Sequence, residues 1–290
     1  MEVSPGIQGS AEHPGDKART SRLALTFAPD LRGRTFLAGQ FASYPFHVCK
    51  VLYDDADREG MGTIYTQSSA GGLFEHDRHL IEIEAREGAQ AHVTTQASTI
   101  IHSMKAGAAR QTARIVAGAA SLLEVLPDPQ ILFPQSSFEG LSRIRVTEGA
   151  TCIVWESFLT HDPMAKGGMP LSYRSEIIVE NENGKAIAID RLHIDKQAFQ
   201  NPAPGVMGLF RACGTMLVLS PGRTSPLDLS SICRETPDGA LIGTSLLPSN
   251  AGHLFRILAA DGVQLKRSMF ACWAVARTAL FGKAPISRRK

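Results

Sequence analysis

No apolar run in this chain approaches the roughly 18 residues that a membrane-spanning helix needs, and the N-terminus lacks the compact apolar stretch of an export signal. Neither membrane insertion nor export is expected, and a reducing cytoplasm is the expected compartment. The five cysteines, Cys49, Cys152, Cys213, Cys233 and Cys272, are odd in number, scattered and free of any Cys-x-x-Cys spacing. That pattern argues against a disulfide framework and against a structural zinc site. The formal net charge is only +2, and the one dense basic run is Arg288-Arg289-Lys290, so nucleic acid is not an expected partner. Aromatic residues make up 7% with two Trp, too few to line a sugar-stacking face. Gly-x-Ser-x-Gly, the P-loop, the dinucleotide fingerprint and His-Glu-x-x-His are all missing, so enzymatic activity has little support. What is present is a soluble composition, 43% hydrophobic over 290 residues, enough for one extended or two compact domains.

Within that composition a repeat stands out. Glu87-Gly88-Ala89, Ala117-Gly118-Ala119 and Glu148-Gly149-Ala150 each separate two alternating runs, and the glycines are 30 and 31 residues apart. Ile81, Ile83 and Ala85 precede the first corner; Ala89, Ala91, Val93 and Thr95 follow it. Period two means strand, and a period near 30 means stacked β units, each too thin to bury a core alone. Each corner glycine is expected to adopt a positive φ. The fold class is therefore all-β dominated, a β-helical or solenoid-like stack of short strands with about two α-helices near the C-terminus.

Residues 1–21 carry Gly, Pro and charge without apolar period and read as a mobile arm; 22–290 read as a single β-helical domain. Strands are expected at Leu23–Phe27, Thr35–Ala38, Phe46–Leu52 and Gly62–Thr66, and a hairpin turning at Asn183-Gly184. Segments 159–170 and 197–206 read as loops. Ser225-Pro226 opens a short helix to about Arg234. A second helix follows the cap Asp261 and carries Leu265, Met269, Trp273, Ala276 and Leu280 on one face, a stripe that marks a core-packing helix.

The densest polar cluster is Gly71-Gly72-Leu73-Phe74-Glu75-His76-Asp77-Arg78-His79. Carboxylates and imidazoles together suit a borderline divalent ion such as nickel or zinc, although a solvated loop accounts for the same residues. His161-Asp162 with Met164 is a second such candidate. His102 and Met104 are placed on one strand face, where packing is the usual reason. Thr94-Thr95-Gln96 sets hydroxyls in a row, with strand preference as the default explanation.

Gly71-Gly72-Leu73 with Asp77 and Leu80, then Gly88-Ala89-x-Ala91-x-Val93-Thr94-Thr95-Gln96-Ala97-x-Thr99, then Leu123-Glu124-x-Leu126-Pro127-Asp128-Pro129 with Phe133, and finally Trp273-x-x-x-Arg277-x-x-Leu280-x-Gly282 resemble the UreD (UreH) family of urease accessory proteins. The likeness spans about residues 23–289. It implies a β-helical scaffold without catalysis and without a tightly bound cofactor. It also implies that the chain binds UreF, recruits the GTPase UreG through it, and docks on apo-urease so that nickel in transit passes along an internal tunnel. Asp77 matches the family's acid after the Gly-Gly-Leu turn, and Glu156 matches an acid at the end of the third repeat; with His76 and His79 they are the expected contacts of a transient ion path. Gly71, Gly72, Gly88, Thr94, Thr95, Gln96, Gly118, Glu124, Pro127 and Gly149 are the expected motif and structural positions. The chain departs from the family pattern at Glu75-His76, where glycines are usual, and in the Ser157–Pro163 stretch with its Gly167-Gly168 loop. The competing classes are a carbohydrate-active enzyme on a β-solenoid and a β-rich binding module with no metal role.

Overall fold

Alternation over Leu23, Leu25 and Phe27 turns all three to one side of the first strand, β1 (Thr20–Pro29), and all three are buried. The computed structural model describes residues 19–201, 203, 206–222 and 239–286. In the first sheet β1 pairs antiparallel with β2 (Thr35–Ala42) and in parallel with β5 (Arg78–Ala85). β8 (Ala109–Ala117), β11 (Ser137–Val146) and β13 (Ser172–Glu180) extend the parallel order, and β14 (Ala186–Asp195) closes it antiparallel. The second sheet runs from β3 (Phe46–Val48) through β4 (Gly62–Ser68), β6 (Gln90–Thr95), β9 (Leu122–Val125) and β12 (Thr151–Thr160). Beyond β12 it turns antiparallel through β15 (Ala212–Leu219), β17 (Gly252–Ala259) and β16 (Leu241–Leu246). Two short strands, β7 (Thr99–Ile101) and β10 (Gln130–Leu132), stack in parallel beside the end of β12.

The chain thus crosses between sheets twice per coil, at the glycine corners from β5 to β6, from β8 to β9 and from β11 to β12, and back from β4 to β5, from β6 through β7 to β8, and from β9 through β10 to β11. That is the expected solenoid. Gly88 (φ +70°) and Gly149 (φ +79°) take the left-handed backbone their corners require. Gly118 does not; the left-handed residue of its turn is Ala120 (φ 52°). The reason for a glycine there is close approach. Gly118 N donates to Ala85 O at 2.8 Å, and a Cβ would sit 3.0 Å from both Ala85 O and Glu87 N. The expected positive φ at this corner is therefore corrected to a steric requirement.

The two described helices are α1 (Lys196–Gln200), inside a stretch expected to be loop, and α2 (Gly262–Phe281). The helix expected at 225–234 and the arm residues 1–18 lie outside the described residues. β12 continues to Thr160, so the loop expected from 159 begins at His161. The Asn183-Gly184 hairpin forms between β13 and β14, with Gly184 at φ 78°. Asp261 caps α2 by accepting from Gln264 N at 2.8 Å, and Gly282 (φ 78°) ends it. Leu265, Met269, Trp273 and Ala276 are buried against the outer face of the second sheet.

A buried ionic chain locks this helix down. Glu124, fully buried on β9, lies 2.8 Å from His92 Nδ1 of β6, accepts from Trp273 Nε1 at 3.0 Å and pairs with Arg277 Nε at 2.8 Å. Arg277 also binds Asp55 in the loop before β4. Burial by itself would raise the Glu124 carboxyl; the His92 hydrogen bond and the Arg277 charge outweigh it and hold the group below its ordinary value. Helix and first coil are tied through one carboxylate. Glu124 is thus a structural residue.

Candidate functional site

Parallel register aligns equivalent residues of successive coils into rows along the solenoid axis. On the inner face of the first sheet one row reads Leu25, Ile83, Ile115, Ile144 and Val179, all buried in the core on the glycine-corner side. A second interior core, built on Phe138, Phe158 and Tyr173, fills the opposite corner. Between these two cores the coils are hollow, and a cavity of about 1180 Å³ runs from Tyr44, Phe46 and Thr66 in the first coil to Glu156 and Tyr173 in the last.

In register across this sheet stand Ser21, His79, Gln111, Gly140 and Ser175, one residue per strand and all but the glycine polar; His79, Gln111 and Gly140 line the cavity, and Ser21 lines the smaller pocket beside it. At the parallel-strand spacing the four steps of this row span about 19 Å. Glu156 of β12 closes the row from the second sheet by accepting a hydrogen bond from Ser175 Oγ. In register beside it stand Thr215 and then Arg256, whose guanidinium binds both Asp190 oxygens at 2.8 and 2.9 Å and donates to Thr215 Oγ1. Burial pushes the Glu156 carboxyl up to about 7, with Ser175 opposing and the nearby Asp190 charge reinforcing the rise. Near neutral pH this carboxyl is poised between its neutral and anionic forms.

At the other end a smaller pocket of about 250 Å³ adjoins the cavity, sharing Tyr44, Pro45, Gly72 and His79 and adding Arg19, Ser21 and Asp77. His79 is 5% exposed, its ring packed on Phe46 with centroids 4.6 Å apart. Burial lowers its pKa to about 4, so the imidazole is neutral at physiological pH. Asp77 is buried but committed. It takes Arg19 Nε at 3.1 Å and Nη2 at 3.2 Å, and accepts from Phe74 N at 2.9 Å. It caps the Phe74–Asp77 turn and pins Arg19, the residue before β1.

The remaining candidates are not brought together. His76 is exposed in a left-handed backbone (φ 66°), away from the cavity lining. The Glu75 carboxylate accepts from Lys105 N at 3.2 Å, Ala106 N at 2.7 Å and Gly107 N, and so holds the neighbouring coil's loop. Asp162 accepts from the amides of Met164, Lys166 and Gly168, which organises the divergent loop from within and leaves no site with His161. His102 follows β7 rather than lying on it, stacked on Phe74 at 4.2 Å, whereas Met104 is buried in the Phe138 core. Thr94 Oγ1 donates to Leu126 O and Thr95 Oγ1 accepts from Asp128 N, so both hydroxyls serve the stacking of coils. Among the described residues no three His, Cys, Asp or Glu side chains gather as a metal cluster. Gln111 and Ser175 went unnoticed in the sequence. Their only signal is phase, each being a polar residue in step with apolar ones on its own strand.

The comparisons with known proteins agree over almost the whole chain. A family model described as UreD urease accessory protein matches residues 19–290. A protein named Urease accessory protein UreD 1 from Pseudomonas syringae pv. syringae (strain B728a) is 36% identical, covering 96% of this chain and 97% of its own length. Its namesake from Methylorubrum extorquens (strain PA1) is 37% identical, covering 100% of this chain and 99% of its own. A protein named Urease accessory protein UreD from Photorhabdus laumondii subsp. laumondii is 30% identical, covering 92% and 85%. The chain belongs to the UreD family of urease accessory proteins.

Proposed function

We propose that this UreD-family chain is a non-enzymatic scaffold of urease maturation in the cytoplasm, linking UreF, and through it the GTPase UreG, to apo-urease. The solenoid cavity is the route by which nickel in transit crosses it. The observation that carries this reading is the hollow beside two packed cores, with polar residues along its wall and Glu156 at its end. Donors presented one per coil bind an ion weakly, and a passage needs stations that release as readily as they take up.

The test is a pull-down from cells expressing the whole urease cluster, with nickel measured per urease active site. UreF and urease are expected to co-purify with the wild-type chain and with Glu156→Ala, the latter with less nickel. Asp77→Ala is expected to behave differently. Its carboxylate holds Arg19 and the Phe74 amide, so the variant should lose thermal stability and complex yield together. Loss of nickel with an unchanged melt in Asp77→Ala would instead place that carboxylate on the ion path. Wild-type nickel in Glu156→Ala would remove Glu156 from it. Leu241 and Leu246 are exposed on β16 at the edge of the second sheet, so the isolated chain is expected to be poorly soluble and rescued by UreF. A chain that stays monodisperse alone at high concentration and ignores UreF in size exclusion would break that part of the reading.

A further inference from the structure

The outermost strand of a sheet presents a row of unpaired backbone donors and acceptors that invites another strand. The two sheets have four such edges among the described residues. β14 carries Asp190, Arg191, His193 and Asp195, and β3 is three residues long; charge and shortness both discourage pairing. β2 and β16 have neither safeguard. β2 runs through Thr35-Phe36-Leu37-Ala38-Gly39-Gln40-Phe41-Ala42 without a charge or a proline, and its outer edge has no strand partner among the described residues. Phe36 and Phe41 are exposed, and the residues of β1 paired with them are only Ala28 and Ala24. A solenoid that stays soluble alone needs a polar outer surface on its terminal coil. This terminal coil shows apolar rings instead.

The kind of occupant is read from the charge beside that edge. Arg34, one residue before β2, holds its guanidinium carbon 3.7 Å from the centre of the Tyr53 ring. The Tyr53 hydroxyl donates to Thr35 O at 2.9 Å, which fixes the stack to the start of the strand. Arg34 is exposed, and its guanidinium has no carboxylate partner among the described residues. Asp30, in the same turn, accepts from the amides of Arg32 and Arg34 at 2.8 and 2.9 Å. A guanidinium held in this way offers its planar fork of donors to an incoming carboxylate. A second copy of this chain supplies none: paired antiparallel about Gly39 it would set Arg34 against Tyr44, and there is no acid from Ala42 to Tyr53.

We propose that β2 is the docking edge for an extended segment of a partner protein of the urease assembly. The segment adds to the first sheet as a further strand, covers Phe36 and Phe41 with apolar side chains and places an Asp or Glu carboxylate on Arg34. Main-chain hydrogen bonds along the strand supply affinity, and the two rings and the arginine select the sequence. The inference takes the class of partner from the maturation role proposed above, whereas the edge is read from this chain alone.

Hydrogen exchange of the full-length chain is followed in dilute solution and in the complex purified from cells expressing the whole urease cluster. Amides of residues 35–42 should exchange at least about tenfold more slowly in the complex. Arg34→Glu and Ala38→Lys, both at exposed positions, should keep the wild-type melt and lower the yield of co-purified partner at least about tenfold. Arg34→Lys keeps the charge without the fork and should fall between them and the wild type. The proposal is overturned by equal exchange of 35–42 in the free chain and the complex, or by wild-type yield from Arg34→Glu or Ala38→Lys. Protection already present in the free chain overturns it as well. If that protection grows with protein concentration, a second copy holds the edge; if it disappears on removal of residues 1–18, the chain's own arm holds it. A partner that co-purifies equally with wild type and variants would leave the maturation role and remove the docking edge, whereas a wild-type chain that brings down no partner would remove both.

Discussion

Gln111 and Ile115 lie four residues apart on the same face of β8, and they occupy opposite worlds. Ile115 belongs to a row of buried aliphatic residues that repeats on every coil and borders the cavity from its packed side; Gln111 belongs to a polar row within the cavity. Each coil is thus divided along its length into a packed half beside the glycine corners and a hollow half beyond it. Solenoid stability is carried coil to coil, so the packed half alone can hold the stack in register. The hollow half is then free to carry polar groups that a filled core would exclude.

The sharpest way to break that division is to cut each half on the same strand. Ile115→Ala should cost about 2–5 kcal/mol in chemical denaturation, whereas Gln111→Ala should cost under about 1 kcal/mol because it lines space already empty. Equal losses would mean that both halves bear load. Next in size, Gly118→Val should destabilise by about 3 kcal/mol, since its side chain would be driven into the Ala85 and Glu87 backbone of the coil before it. Gly88→Ala, where a Cβ meets nothing closer than Pro29 Cγ at 3.8 Å, should lose only about 1 kcal/mol for its left-handed φ. A melt of Gly118→Val equal to wild type would contradict the tight stacking described at that corner.

The hollow half should also betray itself through pH. Glu156 has its pKa raised to about 7 from 4.5, so the folded chain keeps a proton that the unfolded chain releases. Stability from this group is present below about pH 4.5 and lost as pH rises to about 7. Glu156→Gln should therefore gain on wild type across that window, by about 2 kcal/mol at its top. His79 has the opposite slope. Its pKa is lowered to about 4 from 6.5, so acid costs stability between those values, and His79→Leu should flatten that loss. Parallel pH profiles for wild type and both variants would show that neither group sits in the environment described. The smallest effect is expected at Gly140 in the same row, where an added Cβ would meet the Phe138 ring edge at 3.0 Å and the Arg174 carbonyl at an ordinary 3.7 Å; Gly140→Ala should change the melt by less than about 1 kcal/mol.

The packed half was legible in the sequence because it leaves a periodic trace: glycine corners near every thirtieth residue and alternation on either side of them. The terminal helix was legible for the same reason, with Asp261 as its cap and its apolar stripe in place. The hollow half was not. Alternation marks which residues point inward but not whether the facing sheet comes close enough to fill the space between them. His79 was noticed only as one of a polar run with Glu75, His76 and Asp77, and strand phase divides that run. His79 faces inward in step with Ile81 and Ile83, Asp77 precedes β5 as a cap, and His76 is exposed. Glu124 was seen as a motif position, but its role depends on Arg277 and Asp55, far away in sequence, and no local pattern announces such a contact.

The central claim is that the hollow half carries nickel while the packed half carries the fold. Ala113 lines the cavity on β8 midway between Gln111 and Ile115, and Ala113→Phe would fill part of that space from the wall. The direct measurement is nickel per urease active site in cells expressing the urease cluster with this variant, alongside the yield of UreF and urease that co-purify with it. The account predicts reduced nickel at unchanged yield and unchanged melting temperature; full nickel occupancy from a well-folded Ala113→Phe chain would contradict it.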